Sequence, residues 1–274
     1  MIKRTLLTCF CSVLILSTPL LAAKDQKDTE KQSQTQTSKM EVPSSVLTIG
    51  KENTYPNAVE DLPTLQPSEL TQELLKTSNV PIENPQLIKM FNESSMNKTP
   101  TAIGMRATIY LGEWALNYDS AETAANWEYQ KMNTNYVDNR GGKTNIQMHY
   151  VQETQKTIKG GLTSNVPGAE DVKKMMILKA GQKSGLPLAF ETVIGAGTKK
   201  DQVYNIAPKR LGYLYAYAPA INEKGKVTYG EVYLVFKGMK RMIVVKNVTS
   251  QGIGAWIPIQ DHVSFGFITS DKPR

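Results

Sequence analysis

Few residues in this chain have both the type and the spacing that chemistry needs. Ser95-Met96-Asn97-Lys98 has the Ser-x-x-Lys form in which a lysine takes the proton of a nucleophilic serine. Lys183-Ser184-Gly185 mimics the Lys-Thr-Gly triplet that accompanies it in penicillin-recognising enzymes. The Ser-x-Asn element between the two is missing, and Ser95 trails an expected helix instead of opening one. Gly142-Lys143-Thr144 ends like a phosphate-binding loop, but Val137 stands where that loop needs its first glycine. Gly195-Ala196-Gly197 lacks the third glycine of a dinucleotide fingerprint. No nucleotide, nucleic-acid or cofactor partner is expected.

His149 and His262 are the only histidines. Asp261 precedes His262, but strand neighbours point to opposite faces, so it orients the imidazole only if the chain turns there. A structural histidine is the simpler reading. No HExxH or comparable spacing marks a metal site. Glu113, Glu153, Glu191 and Glu231 fall on expected strands, and spacing does not rank them, because the carboxylates of glycoside hydrolysis pair across long sequence distances. Tyr213, Tyr215 and Tyr217 alternate and so share one face of a strand. With Tyr229 and Tyr233 they make a candidate carbohydrate or peptide platform, weighed against ordinary cross-strand packing. Arg140, Lys143, Lys237, Lys240 and Arg241 fall on expected turns and make a candidate basic rim for anions, weighed against plain solvated charge.

The elements that must position these residues are mostly strands. The densest signal runs from 211 to 268. Asn222-Glu223-Lys224-Gly225 and Lys237-Gly238-Met239-Lys240 read as turns dividing an antiparallel meander, with strands at 211–218, 227–236, 241–248, 256–259 and 263–268. Residues 232–236 and 242–245 are apolar at every position, which predicts cover on both faces. Upstream, 107–116 reads as a strand, 119–127 is ambiguous, and Asn139-Arg140-Gly141-Gly142 predicts a hairpin between 129–137 and 144–154. Lys159-Gly160-Gly161 marks a break. Ser68 and Asn84-Pro85 are start signals for two short helices, and Val46, Leu47 and Ile49 suit a short strand. Residues 167–181 read as the best helix: Glu170 and Asp171 lie in its first turn, Lys179 in its last, Val172, Met175 and Met176 on one stripe, and Gly181 at its stop. Strand pattern returns at 186–194. The expected fold class is α+β, a large, mostly antiparallel sheet carrying about three short helices.

The N-terminus reads as an export signal. Lys3 and Arg4 precede an apolar run at 5–21, and Ala22-Ala23 offers small residues for cleavage. Uncleaved, the run would be a membrane anchor. Cys9 and Cys11, the only cysteines, lie inside it, so the mature chain has no thiol for disulfide, nucleophilic or zinc chemistry. Loss of Lys3 and Arg4 lowers the formal charge of +7 by two, to +5, which suits anionic wall polymer or lipid headgroups as partners. Residues 24–41 are polar, read as a disordered spacer, and 42–270 as one α+β domain.

The segments VPSSVLTIGKENTYPN (42–57), NRGGK (139–143), KVTYGEVYLVFKG (226–238) and GIGAWIPIQDHVSFGF (252–267) resemble the YfkD-like family of exported Bacillus proteins. The resemblance covers nearly all of the chain after the spacer. It implies a Bacillus-type host and export across the plasma membrane, and brings no activity, substrate, cofactor or catalytic residue. The expected function is that of a secreted or envelope-associated, non-catalytic binding or structural module, contacting wall polymer, lipid headgroups or another envelope protein. The alternatives are a secreted hydrolase of wall polymer, protein or ester, and a folding or assembly helper for exported proteins.

Overall fold

A computed structural model describes residues 40–49, 66–94, 106–238 and 240–273. Ser95 and Lys98, the leader and most of the spacer lie outside them. In chain order the elements are β1 (Val46–Thr48), α1 (Glu69–Leu75), α2 (Pro85–Glu93), β2 (Arg106–Asp138), β3 (Ile146–Val151), β4 (Lys156–Lys159), β5 (Gly161–Leu162), α3 (Ala169–Ser184), β6 (Glu191–Ile194), β7 (Lys199–Ile206), β8 (Leu211–Lys237), β9 (Lys240–Pro258) and β10 (His262–Ser270). The fold is α+β: a large antiparallel sheet with three helices among the described residues.

Strand β8 is the axis of this sheet. One side of it pairs with β2 along the full length; the other pairs first with β10, then with β9. β1 adds to β10 and β5 to β9, while β3–β7 and β4–β6 form two separate two-stranded sheets. Against the 27 residues of β8, β2 spends 33, and all its register shifts insert residues into β2. β9 is likewise bulged near Asn247 (φ 50°), and β9 and β10 follow one line, interrupted at 259–261, where Asp261 has a φ of 56°. β8 itself carries no extra residue, so its side chains alternate strictly between faces.

Which face is covered changes twice along β8. Leu214, Ala216 and Ala218 pack on Met148, Ile158, Ile194 and Ile206 from the two small sheets. Ile221, Val227 and Tyr229, on the opposite face, pack on Val172, Met175 and Met176 of α3. Val232, Leu234 and Phe236 return to the first face and pack on Leu74, Leu87 and Phe91 of α1 and α2.

Several expectations change accordingly. Residues 222–225 are not a turn; they continue β8, opposite 253–256 of β9. Glu223 there is buried, accepting hydrogen bonds from Tyr118 Oη (2.9 Å) and Thr123 Oγ1 (2.6 Å). Gly225 is needed for space, not for a positive φ: an added Cβ would lie 2.6 Å from Tyr118 Cζ and 2.2 Å from the Asp119 carbonyl oxygen. The 119–127 segment is strand, and the 241–248 strand runs on to Pro258 without a break at 256. Asn139–Gly142 does turn, with Gly142 N–H donating to the Asn139 carbonyl, but the flanking strands do not pair; β3 leaves to pair with β7. Cover on both faces at 232–236 and 242–245 also fails: Tyr233, Val235, Met242 and Val244 are half-exposed.

Other signals hold. Ser68 Oγ accepts from Thr71 N–H, and Asn84 Oδ1 from the N–H groups of Gln86 and Leu87, capping α1 and α2. The turn at 237–240 joins β8 to β9, with Gly238 at φ 60°. Helix α3 passes Gly181 and ends at Gly185, whose φ of 71° admits no side chain cheaply. Lys183, not Lys179, lies in its last turn, and Lys179 pairs with Glu83 at 2.9 Å. The strand expected at 186–194 is confined to β6, with one bridge from Leu188 to Ile259.

Gly225→Ala is expected to destabilise the protein by about 1–3 kcal/mol, because the Tyr118 ring and a backbone oxygen cannot both yield. Gly141→Ala, where an added Cβ meets nothing within 4 Å, should stay within about 0.5 kcal/mol. Urea unfolding of both variants reads the difference; equal midpoints would show that Gly225 is not a packing constraint.

Candidate functional site

The first half of β8 presents Leu214, Ala216 and Ala218 to the core, which turns Tyr213, Tyr215 and Tyr217 to the other face. There they form a row. The Tyr213 and Tyr215 rings are 6.3 Å apart and nearly parallel, at 9°, and Tyr217 follows 6.5 Å beyond Tyr215. On β2, Tyr136 lies opposite Tyr213, ring centroids 5.1 Å apart, and is 49% exposed. The Lys131 ammonium sits 4.2 Å above the Tyr215 ring, a cation–π contact. On β10, Gly266 lies opposite Tyr215 and adds no side chain there, while Ser264 and Ile268 lie opposite Tyr217 and Tyr213. The sequence reading missed Tyr136 and Lys131, because their strand carries bulges that hide the register.

Electrostatics sharpen one end of the row. Arg140 Nη2 donates to Asp138 Oδ2 at 2.7 Å, and its Nε and backbone N–H also donate to this carboxylate. Hydrogen bonds from the Arg140 side chain and backbone hold the Asp138 carboxyl at about 2. The Tyr136 phenol is pushed up by its surroundings and by the Asp138 charge, and Tyr217 by burial and by Glu128.

The five tyrosines do not form one platform. Tyr229 lies where α3 covers this side of β8; it is buried and donates to the Pro167 carbonyl at 3.3 Å. Tyr233 lies at the far end, 5.1 Å from Tyr110, donating to Glu231 at 2.7 Å. The basic rim divides too. Arg140 and Lys143 flank the turn after β2, next to the Tyr136 end of the row, while Lys237, Lys240 and Arg241 sit at the β8–β9 hairpin, the length of β8 away.

The remaining candidates find ordinary places. His262 Nδ1 lies 2.7 Å from the Gln260 carbonyl, which makes it the donor; the chain does turn at Asp261, and His149 is exposed on β3. Lys183 donates to the Ser120 carbonyl and hydroxyl at 2.8 Å each, Ser184 is buried, and Gly185 closes α3. Gly197, at φ 81°, turns the chain between β6 and β7. Glu191 pairs with Lys159 at 3.4 Å. Glu113 lines a half-open cavity of about 220 Å³ with Trp114, Asp171 and Tyr229. Among the described residues, no group of three or more His, Cys, Asp or Glu is placed to hold a metal ion. Glu223, fully buried, was missed; the alternation Ile221, Glu223, Gly225, Val227, Tyr229 already placed it on an apolar face.

A sequence model of the YfkD-like protein family matches residues 43–274. The chain belongs to the YfkD-like family. Over 233 residues it is 70% identical to the uncharacterized protein YfkD of Bacillus subtilis (strain 168), covering 85% of this chain and 88% of the relative. No solved structure matches. Within this YfkD-like chain, the segment at 139–143 forms the corner beside the tyrosine row, and that at 252–267 spans the joint between β9 and β10.

The Asp138–Arg140 contact has a readable signature. Since the folded carboxyl sits below its ordinary value of 3.8, the contact favours the fold above that pH and is lost as pH falls toward about 2. In Arg140→Ala the Asp138 carboxyl is expected to titrate near its ordinary value, followed by carboxyl-carbon NMR. An unmoved titration would mean that Arg140 does not hold it.

Proposed function

We propose that this YfkD-like chain is an exported cell-envelope protein that acts as a non-catalytic binding module, with the tyrosine row as its contact surface for wall polymer. The single observation that carries this reading is the row itself: Tyr136, Tyr213, Tyr215 and Tyr217 on a sheet face where Tyr215 and Tyr217 are only half-buried. Tyr213 is buried and backs the row; the aromatic side chains of Tyr136, Tyr215 and Tyr217 offer apolar area to sugar rings and a hydroxyl edge to their polar groups. Lys131 beside them suits phosphate or carboxylate groups on such a polymer. Export is supported by the leader at 1–23, with its basic start and apolar run.

The protein from Lys24 onward contains all the described residues. Incubated with purified Bacillus cell walls, it is expected to be retained at low salt and partly released at high salt. Tyr215→Ala combined with Tyr217→Ala should reduce retention by about tenfold or more, the loss of two stacking contacts. No retention at low salt, or full retention by the double variant, would overturn the reading. Cell fractionation with N-terminal sequencing tests export.

A hydrolase is the second reading, favoured by Glu113, whose carboxylate has no partner among the described residues, beside Asp171 around the 220 Å³ cavity. Release of soluble wall fragments, abolished by Glu113→Gln, would establish it in place of the first.

A further inference from the structure

The far end of β8 carries a charge arrangement that folding alone does not favour. From residue 232 to residue 260 the chain has no Asp or Glu, while Lys237, Lys240, Arg241 and Lys246 lie within it. The register sets Arg106 opposite Lys237, and Lys237 opposite Lys240. Three exposed cations thus stand side by side in one cross-strand row at the tip of three strands. Residues directly opposite have Cβ atoms only about 5 Å apart, and like charges there repel. None of the ion pairs among the described residues involves these three.

Behind this row the same face stays apolar and partly exposed, with the Lys246 ammonium 4.8 Å above the Tyr233 ring. The next row is Thr108, Val235 and Met242; the one after is Tyr110, Tyr233 and Val244. Tyr110 is 56% exposed, and Val235, Met242, Tyr233 and Val244 are half-exposed. Then Glu113, Glu231 and Lys246 close the field. Arg241, opposite Phe236, adds charge at the tip from the other face.

We propose that this face of the strand tip lies flat on the surface of an anionic lipid bilayer. The row of Arg106, Lys237 and Lys240 meets lipid phosphates, Tyr110 and Tyr233 lie at headgroup level, and Val235, Met242 and Val244 face the acyl boundary. A bilayer surface offers phosphates above an apolar depth, so a face lying flat on it seats the apolar rows while the long Lys and Arg side chains reach the phosphates; a soluble anionic polymer offers only the charge. A second copy of the chain fits less well. The field spans about 20 Å by 10–15 Å, far short of the roughly 800 Å² per partner that a stable dimer buries. The proposal does not depend on the tyrosine row, and the assay below contains no wall polymer, so either reading can fail without the other.

The test is co-sedimentation of the protein from Lys24 onward with phosphatidylcholine vesicles, with and without phosphatidylglycerol. Binding is expected only with phosphatidylglycerol, weakening at high salt. Each cation replaced by Ala should cost about fivefold in partitioning, and Arg106→Ala, Lys237→Ala and Lys240→Ala together about a hundredfold. Tyr110→Ser should weaken vesicle binding while leaving binding to soluble polyphosphate unchanged. The triple variant should unfold at no lower temperature than the wild type, since it relieves repulsion. Equal binding to pure phosphatidylcholine, wild-type binding by the triple variant, polyphosphate binding that Tyr110→Ser weakens equally, or a dimer that the triple variant abolishes would each overturn the proposal.

Discussion

Every layer of this molecule hangs on the hydrogen bonds that β8 makes on both sides over its whole length. A strand paired on both sides cannot take an extra residue without breaking register with two neighbours at once. The irregularities therefore lie in β2, in β9 near Asn247 and in the joint at 259–261. Bulges bend and twist the strand that bears them, so a long sheet curves around a regular axis. They also blunt β2, a long strand paired on one side only, against pairing with another chain.

Because β8 alternates strictly, the position of each covering layer decides which of its residues are core. The small sheets cover one side, α3 the other, and the α1–α2 pair the first again. Where α3 lies, the buried set includes Glu223, which is tolerated because two hydroxyls meet both its oxygens. Burial, together with the charge and hydrogen bond of Glu223, pushes the Tyr118 phenol far above its usual range, so it remains a donor throughout the physiological range. Gly225 leaves the space that the Tyr118 ring occupies. Helix, carboxylate, phenol and glycine are thus one packing solution.

Much of this was legible from local chemistry. Ser68, Asn84-Pro85, the acidic first turn of α3 and the 237–240 turn act through neighbours within a few residues, and each does what its sequence says. The errors share a cause. Asn-Glu-Lys-Gly at 222–225 has turn composition, but in the fold Glu223 is consumed by a buried hydrogen-bond pair and Gly225 by a close approach, both set by residues about a hundred positions upstream. The corner at 139–142 turns as its sequence requires, yet whether the flanking strands pair is decided by β7. The tyrosine row was visible as an alternation. That Tyr229 leaves it was not, because only the placement of α3 buries that position.

Tyr213, Tyr215 and Tyr217 at one end, and Tyr233, Val235 and Lys237 at the other, are odd-numbered positions of a bulge-free strand, and so are the residues α3 covers between them. One side of β8 is thereby divided by α3 into two partly exposed fields of different chemistry, one tyrosine-lined and one apolar behind a cationic row. The helix is bounded by Gly168 and Gly185, both left-handed, at φ 60° and 71°. Residues with side chains resist that conformation, so the glycines fix where the helix begins and ends. Its length, set locally by two glycines, therefore sets how much of the sheet is left to meet something outside the chain.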